Sequence, residues 1–127
     1  EGKINKTPHV IVWGTGKPRR EFLYVDDLAE ACIKLMNLDK MIHNKITDRM
    51  STHINVGCSE DLSIEELATT IKKIVDYKGK IKFDTNMPDG TPQKILNSNK
   101  IKNLGWNAKV SLKNGLLKAY DDYLNSK

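Results

Sequence analysis

The feature that most restricts how this chain can fold is the change of apolar period between His9 and Leu38. Residues 9–13, His-Val-Ile-Val-Trp, form a β-branched and aromatic run of strand length. Gly14-Thr15-Gly16-Lys17-Pro18 ends it, because glycine and proline break a ladder and favour a turn. Phe22 to Val25 reads as a second extended, apolar stretch. Asp26-Asp27 then supplies an N-cap, and Leu28, Ala31, Cys32, Leu35, Met36 and Leu38 recur at helical spacing. The two acids stand at the positive end of the helix dipole, where negative charge is favourable.

The rest of the chain alternates in the same way. Residues 39–51 are polar and irregular and read as a variable surface loop. His53-Ile54-Asn55-Val56-Gly57 reads as a strand leading into a turn. Ser63-Ile64-Glu65-Glu66 is a capping box, and Ile64, Leu67, Ala68, Ile71, Ile74 and Val75 carry one apolar face onward. Gly79 interrupts it, and Lys80 to Phe83 alternates like a strand. In Asp84 to Gln93, two prolines flank Asp89-Gly90, which gives a stiff, shaped loop. Ser98 to Leu104 is a short helix closed by Gly105, and Ser111 caps a last amphipathic helix bearing Leu112, Leu116, Leu117, Tyr120, Tyr123 and Leu124. The expected architecture is one α+β unit of short strands and three to four helices.

Composition excludes several classes. With 127 residues and 39% apolar side chains the chain can bury a core, hiding about two-thirds of its unfolded surface. No apolar run approaches the length of a membrane helix, and Glu1-Gly2-Lys3-Ile4-Asn5 has no signal-peptide character, so a cytoplasmic protein without a membrane partner is expected. The net charge of +5 favours anionic partners in general. The lysines are scattered among acids, however, with no basic stripe interleaved with aromatics, so nucleic acid is not expected as a partner. Cys32 and Cys58 have no CxxC spacing and no adjacent His pair, which leaves a zinc site without support. Cys32, inside the helical pattern, reads as a small core residue.

The turn after the first strand also lacks the chemistry it superficially suggests. A dinucleotide-binding turn needs a third glycine and a following helix. Here Pro18 and Arg19 follow the two glycines, and no helix begins. A Walker A loop is likewise excluded, because it requires GxxxxGK followed by Ser or Thr, and Pro18 follows Gly16-Lys17 here. His9, His43 and His53 are scattered and read as structural or surface residues. No catalytic residue, cofactor-binding residue or metal ligand is therefore assigned.

The segment from Trp13 to Ala29, with Gly14-Thr15-Gly16 and Arg20-Glu21-Phe22-Leu23-Tyr24-Val25-Asp26-Asp27 at its heart, resembles the signature of extended short-chain dehydrogenases acting on nucleotide sugars. Pro88-Asp89-Gly90-Thr91-Pro92-Gln93-Lys94-Ile95-Leu96 narrows the resemblance to the GDP-L-fucose synthases, as do His53 to Gly57, Leu62 to Ala68 and Leu104-Gly105-Trp106. The resemblance implies the C-terminal substrate-binding domain, residues 1–127, of a longer enzyme whose Rossmann half is absent. Such enzymes epimerise C3 and C5 of GDP-4-keto-6-deoxy-mannose and reduce C4 with NADPH. It further implies a GDP-sugar substrate, a homodimer, NADPH bound by the missing N-terminal half, and no turnover by the chain alone.

Carried over position by position, the resemblance implies substrate contacts at Trp13, Arg20, Asp89 and Lys94. Arg20 would offer a planar fork to the diphosphate and Lys94 a point charge. Trp13 would form a flat wall beside the nucleotide, with core packing as the alternative. Asp89 would accept from hydroxyls. Strand alternation points Arg19 away from Arg20. Gln93 and Asn97 depart from the family pattern, which has Arg and Asp there. The competing readings are another nucleotide-sugar epimerase or dehydratase, and a stand-alone basic binding module.

Overall fold

The computed structural model describes residues 1–126, which fall into two units. One comprises Glu1–Arg20, Asp61–Lys94 and the chain from Lys113; the other comprises Glu21–Glu60 and Ile95–Leu112.

In the first unit, strand β1 (His9–Trp13) pairs in parallel with a later strand at Lys80–Asp84, running in register from His9↔Lys80 to Trp13↔Asp84. Parallel neighbours cannot be joined by a tight turn and need a crossover. A helix at Ile64–Ile74 supplies the return, and its capping box is formed as expected. Ser63 Oγ accepts from the Glu66 N–H at 3.1 Å, and the Glu66 carboxylate accepts from the Ser63 N–H at 2.7 Å.

A second sheet has three very short strands. Strand β2 (Arg19–Glu21) lies between the strands Asp61–Ser63 and Gln93–Lys94, pairing in parallel with the latter. The extended stretch expected at Phe22–Val25 is thus displaced towards the N-terminus. The reason is that polar Arg19-Arg20-Glu21 finds both backbone and side-chain partners, whereas helix α1 (Val25–Met36) already begins at Val25.

In the second unit, Ala31 of α1, Ile101 and Trp106 form a buried core, with Leu23, Leu35, Ile54, Val56 and Ala108 packed against it. Asp26-Asp27 is not the cap of α1. Tyr24 holds that position without a side-chain capping bond to the helix, and Asp27 is buried, 4% exposed, within the first turn. Its carboxylate accepts the N–H groups of Lys109 and Val110 at 3.0 and 2.9 Å. Cys32 is exposed and does not belong to the core. Residues 39–51 contain helix α2 (Lys40–Ile46), begun by Asp39, whose carboxylate accepts from the Met41 and Ile42 N–H groups. Residues 53–57 form no strand: Ile54 and Val56 are packed on the core, but no ladder holds their backbone.

The remaining elements, in chain order, are β3 (Asp61–Ser63), α3 (Ile64–Ile74), β4 (Lys80–Asp84), β5 (Gln93–Lys94), α4 (Asn99–Asn103) and α5 (Leu112–Asn125). Helix α4 ends in a Schellman motif. Trp106 N–H reaches Ile101 O, Gly105 N–H reaches Lys102 O, and Trp106 is carried into the core. The described residues therefore hold five helices where three to four were expected. The β1–β4 and β2–β5 pairings are both parallel, which makes the architecture α/β in place of α+β. None of these helices is long and apolar enough to cross a membrane.

Candidate binding face on the first unit

The site is built from the end of β1, the turn after it, β2, the loop after β4, and β5. Its residues lie in the first unit.

Trp13 closes β1 and leaves 71% of its surface exposed. Core packing, the alternative weighed for it, does not occur. Beyond it, Gly14 and Gly16 adopt φ of 81° and 77°, a left-handed backbone that other residues enter at a cost. Space excludes a side chain as well: a Cβ on Gly14 would strike the Asp89 carboxylate, and one on Gly16 would meet the Phe83 ring. The turn's carbonyls then face α3. Gly16 O accepts from the Glu65 N–H at 3.0 Å and Pro18 O from the Ile64 N–H at 3.1 Å. With Glu66 N–H on Ser63, the first amides of α3 are satisfied by the chain itself.

These contacts decide whether the turn can hold a dinucleotide. Its pyrophosphate would need close backbone approach and free amides at a helix N-terminus. Here Asp89, Phe83 and the turn's own carbonyls occupy both positions, so the residues present do not fit the cofactor.

The three-stranded sheet sorts its charges by face. Arg19 and Gln93 are register partners, and both reach Asp61. Arg19 donates to Asp61 Oδ1 through Nε at 2.9 Å and Nη2 at 2.8 Å, while Gln93 Nε2 donates to Oδ2. The Arg19 bond holds the Asp61 carboxyl below the usual carboxylate range, reinforced by Gln93, and the same bond raises Arg19. Gln93 therefore orders the strand that bears Lys94 and stands with Arg19. Asn97 is also structural, since its Oδ1 accepts from the Asn99 N–H at 3.1 Å at the start of α4.

Because Asp61 is depressed, its contribution to stability is complete above the unfolded aspartate value of about 3.9 and is lost as pH falls below it through the lower folded value. The stability gap between wild type and Asp61→Asn should thus be constant from neutral pH to about pH 5 and close in strong acid. Urea unfolding at stepped pH measures it. A gap unchanged down to pH ~2 would contradict the assignment.

The next register pair, Arg20↔Lys94, belongs to the opposite face by strand alternation. Arg20 is half-buried and Lys94 exposed. Arg20 Nη1 donates to Arg19 O at 2.6 Å, and among the described residues neither cation forms an ion pair. Gly90 lies directly beside the fork: a Cβ there would come within 3.0 Å of Arg20 Nη2.

Asp89, at the tip of the loop, is exposed yet firmly held. Its Oδ1 accepts the Thr15 N–H at 2.8 Å and its Oδ2 the Thr15 hydroxyl at 2.6 Å. The Thr15 hydroxyl, then its N–H, lower the Asp89 carboxyl from its ordinary value.

Of the four residues named from the sequence, Arg20 and Lys94 are brought side by side as register partners. Trp13 and Asp89 come from the two segments that meet at the Gly14–Gly16 turn. Thr15 and Asp61 were missed. Thr15 sits between two glycines, where a hydroxyl commonly bonds within a turn; nothing local marks Asp61. One Tyr-x-x-x-Lys spacing of the short-chain dehydrogenase type does occur, Tyr123 to Lys127, and its lysine lies outside the described residues.

The model of the NAD dependent epimerase/dehydratase family matches residues 2–57. The chain is similar to GDP-L-fucose synthases: it is 45% identical to GDP-L-fucose synthase 1 of Arabidopsis thaliana over 99% of its own length and 36% of that protein's. Identity to the Escherichia coli GDP-L-fucose synthase is also 45%, over 99% of the chain and 39% of that protein. A solved GDP-6-OMe-4-keto-L-xylo-heptose reductase from C. jejuni superposes with a TM-score of 0.83 at 42% identity, covering 94% of this chain and 34% of that one. The chain thus spans little more than a third of the length of these relatives.

Proposed function

We propose that this chain is the GDP-sugar-binding segment of a longer NADPH-dependent GDP-L-fucose synthase. The observation that carries the reading is the Arg20–Lys94 pair. Two adjacent cations without a carboxylate partner repel each other, and an anion between them would relieve this. Arg19, one residue earlier, has its carboxylate; Arg20 does not. The planar fork of Arg20 suits two oxygens of a diphosphate, and the Lys94 ammonium adds a point charge.

The other two residues supply the remaining parts of a nucleotide site. Exposed Trp13 offers a flat apolar surface for a base or sugar, and the unused lone pairs of Asp89 can accept from hydroxyls. These residues bind and orient. NADPH would provide the hydride for reduction at C4 and would be held outside this chain, whose glycine turn is already filled. A cytoplasmic homodimer, assembled through that other part and without nucleic acid or membrane partners, belongs to the same reading.

The relative from C. jejuni, named for a different GDP-linked keto sugar, favours one variant: a GDP-sugar reductase with another hexose or heptose substrate. Initial rates of NADPH oxidation by the full-length protein, with keto sugars on different nucleotides, test the reading.

A further inference from the structure

We infer that Thr15 is a positioning residue for the nucleotide sugar, acting through Asp89; the inference rests on the GDP-sugar reading above. The exposed Pro88–Pro92 loop carries Asp89, and Gly90 beside it lies against the Arg20 fork. Such a loop needs an anchor if the carboxylate and the fork are to keep a fixed separation, and the anchor is Thr15. Its N–H and its hydroxyl grip one oxygen of Asp89 each, at 2.8 and 2.6 Å.

The hydroxyl is itself oriented. It accepts the Lys17 N–H at 3.2 Å, so its single proton is directed to Asp89 Oδ2. The two flanking glycines bring the backbone close enough for the grip, and a Cβ at Gly14 would occupy the space of the Asp89 carboxylate. Each carboxylate oxygen retains a lone pair for a ligand hydroxyl. Thr15 thus fixes which lone pairs point outward without touching the ligand. Since the bonds favour charged Asp89, the latch is intact at neutral pH.

The test uses the full-length protein, with GDP as the binding probe and KM and kcat measured on the GDP-keto sugar. Thr15→Val and Thr15→Ala remove the hydroxyl, and Thr15→Ser keeps it. Loss of one charge-assisted bond at an exposed site should weaken GDP binding and raise KM by about three- to tenfold, with kcat within about twofold. Thr15→Ser should return both to near wild type. On an Asp89→Ala background, Thr15→Val should add nothing, because the partner is gone. Unchanged affinity in Thr15→Val while Arg20→Ala binds weakly would overturn the role of Thr15 and leave the GDP-sugar reading standing. Unchanged affinity in Arg20→Ala would overturn both. Additive losses with Asp89→Ala, or failure of both Val and Ala variants to fold, would make Thr15 structural and overturn the inference.

Discussion

Asp27→Ala should destabilise the protein by about 2–4 kcal/mol, the largest effect expected of any single substitution here. The side chain is 4% exposed, and removing it orphans the amides of Lys109 and Val110. An unsatisfied buried donor costs about 1–3 kcal/mol, reduced here because both bonds are only partly shielded. Against a total stability of about 5–15 kcal/mol this is a large fraction. Asp27→Asn keeps an acceptor and should cost about half as much. The nearby Lys109–Glu30 ion pair is a useful contrast. Both its side chains are well exposed, so Glu30→Ala should cost well under ~1 kcal/mol. Urea unfolding of the three variants checks the order, and equal losses for Asp27→Ala and Glu30→Ala would refute it.

Arg20→Ala should weaken GDP binding by about ten- to a hundredfold, the loss of charge-assisted bonds contributing about 1.5–3 kcal/mol in a shielded site. The half-buried position of Arg20 places the expectation towards the lower end. Arg20→Lys should recover only part, since an ammonium keeps the charge without the fork. Arg19→Ala, by contrast, removes a partner of Asp61 and should affect stability more than affinity. Calorimetric titration with GDP, paired with thermal unfolding, separates the two. Equal loss of affinity in Arg19→Ala and Arg20→Ala would mean that the alternation of faces is wrong.

The parts of this fold that sequence makes visible are those with local causes. The capping box at Ser63, the apolar faces of α1 and α3, and the stop at Gly105 each depend on residues a few positions apart. Strand β1 and its stop are equally plain, because β-branched residues meet two glycines and a proline. What stays hidden depends on distant partners. Asp27 reads as a helix cap because nothing nearby announces amides 82 and 83 residues away. Asp61 and Arg19 are separated by 42 residues, and the polar strand they fasten has no apolar period to betray it. Helix α2 reads as a loop since its seven residues are too few for periodicity, although Asp39 is an ordinary cap. The candidate site divides along the same line. Arg20, Lys94, Trp13 and Asp89 are visible through a family resemblance, while the Thr15 grip on Asp89 spans 74 residues and emerges only in the folded chain.

The most direct measurement of whether these residues bind a GDP-linked sugar for an NADPH-dependent reaction is the initial rate of NADPH oxidation by the full-length protein. GDP-4-keto-6-deoxy-mannose is the substrate, set beside 4-keto-6-deoxy sugars carried on UDP and dTDP. Rapid oxidation with the GDP sugar and little with the other two is the result expected. Equal rates on all three nucleotides, or oxidation confined to the UDP or dTDP sugar, would contradict it.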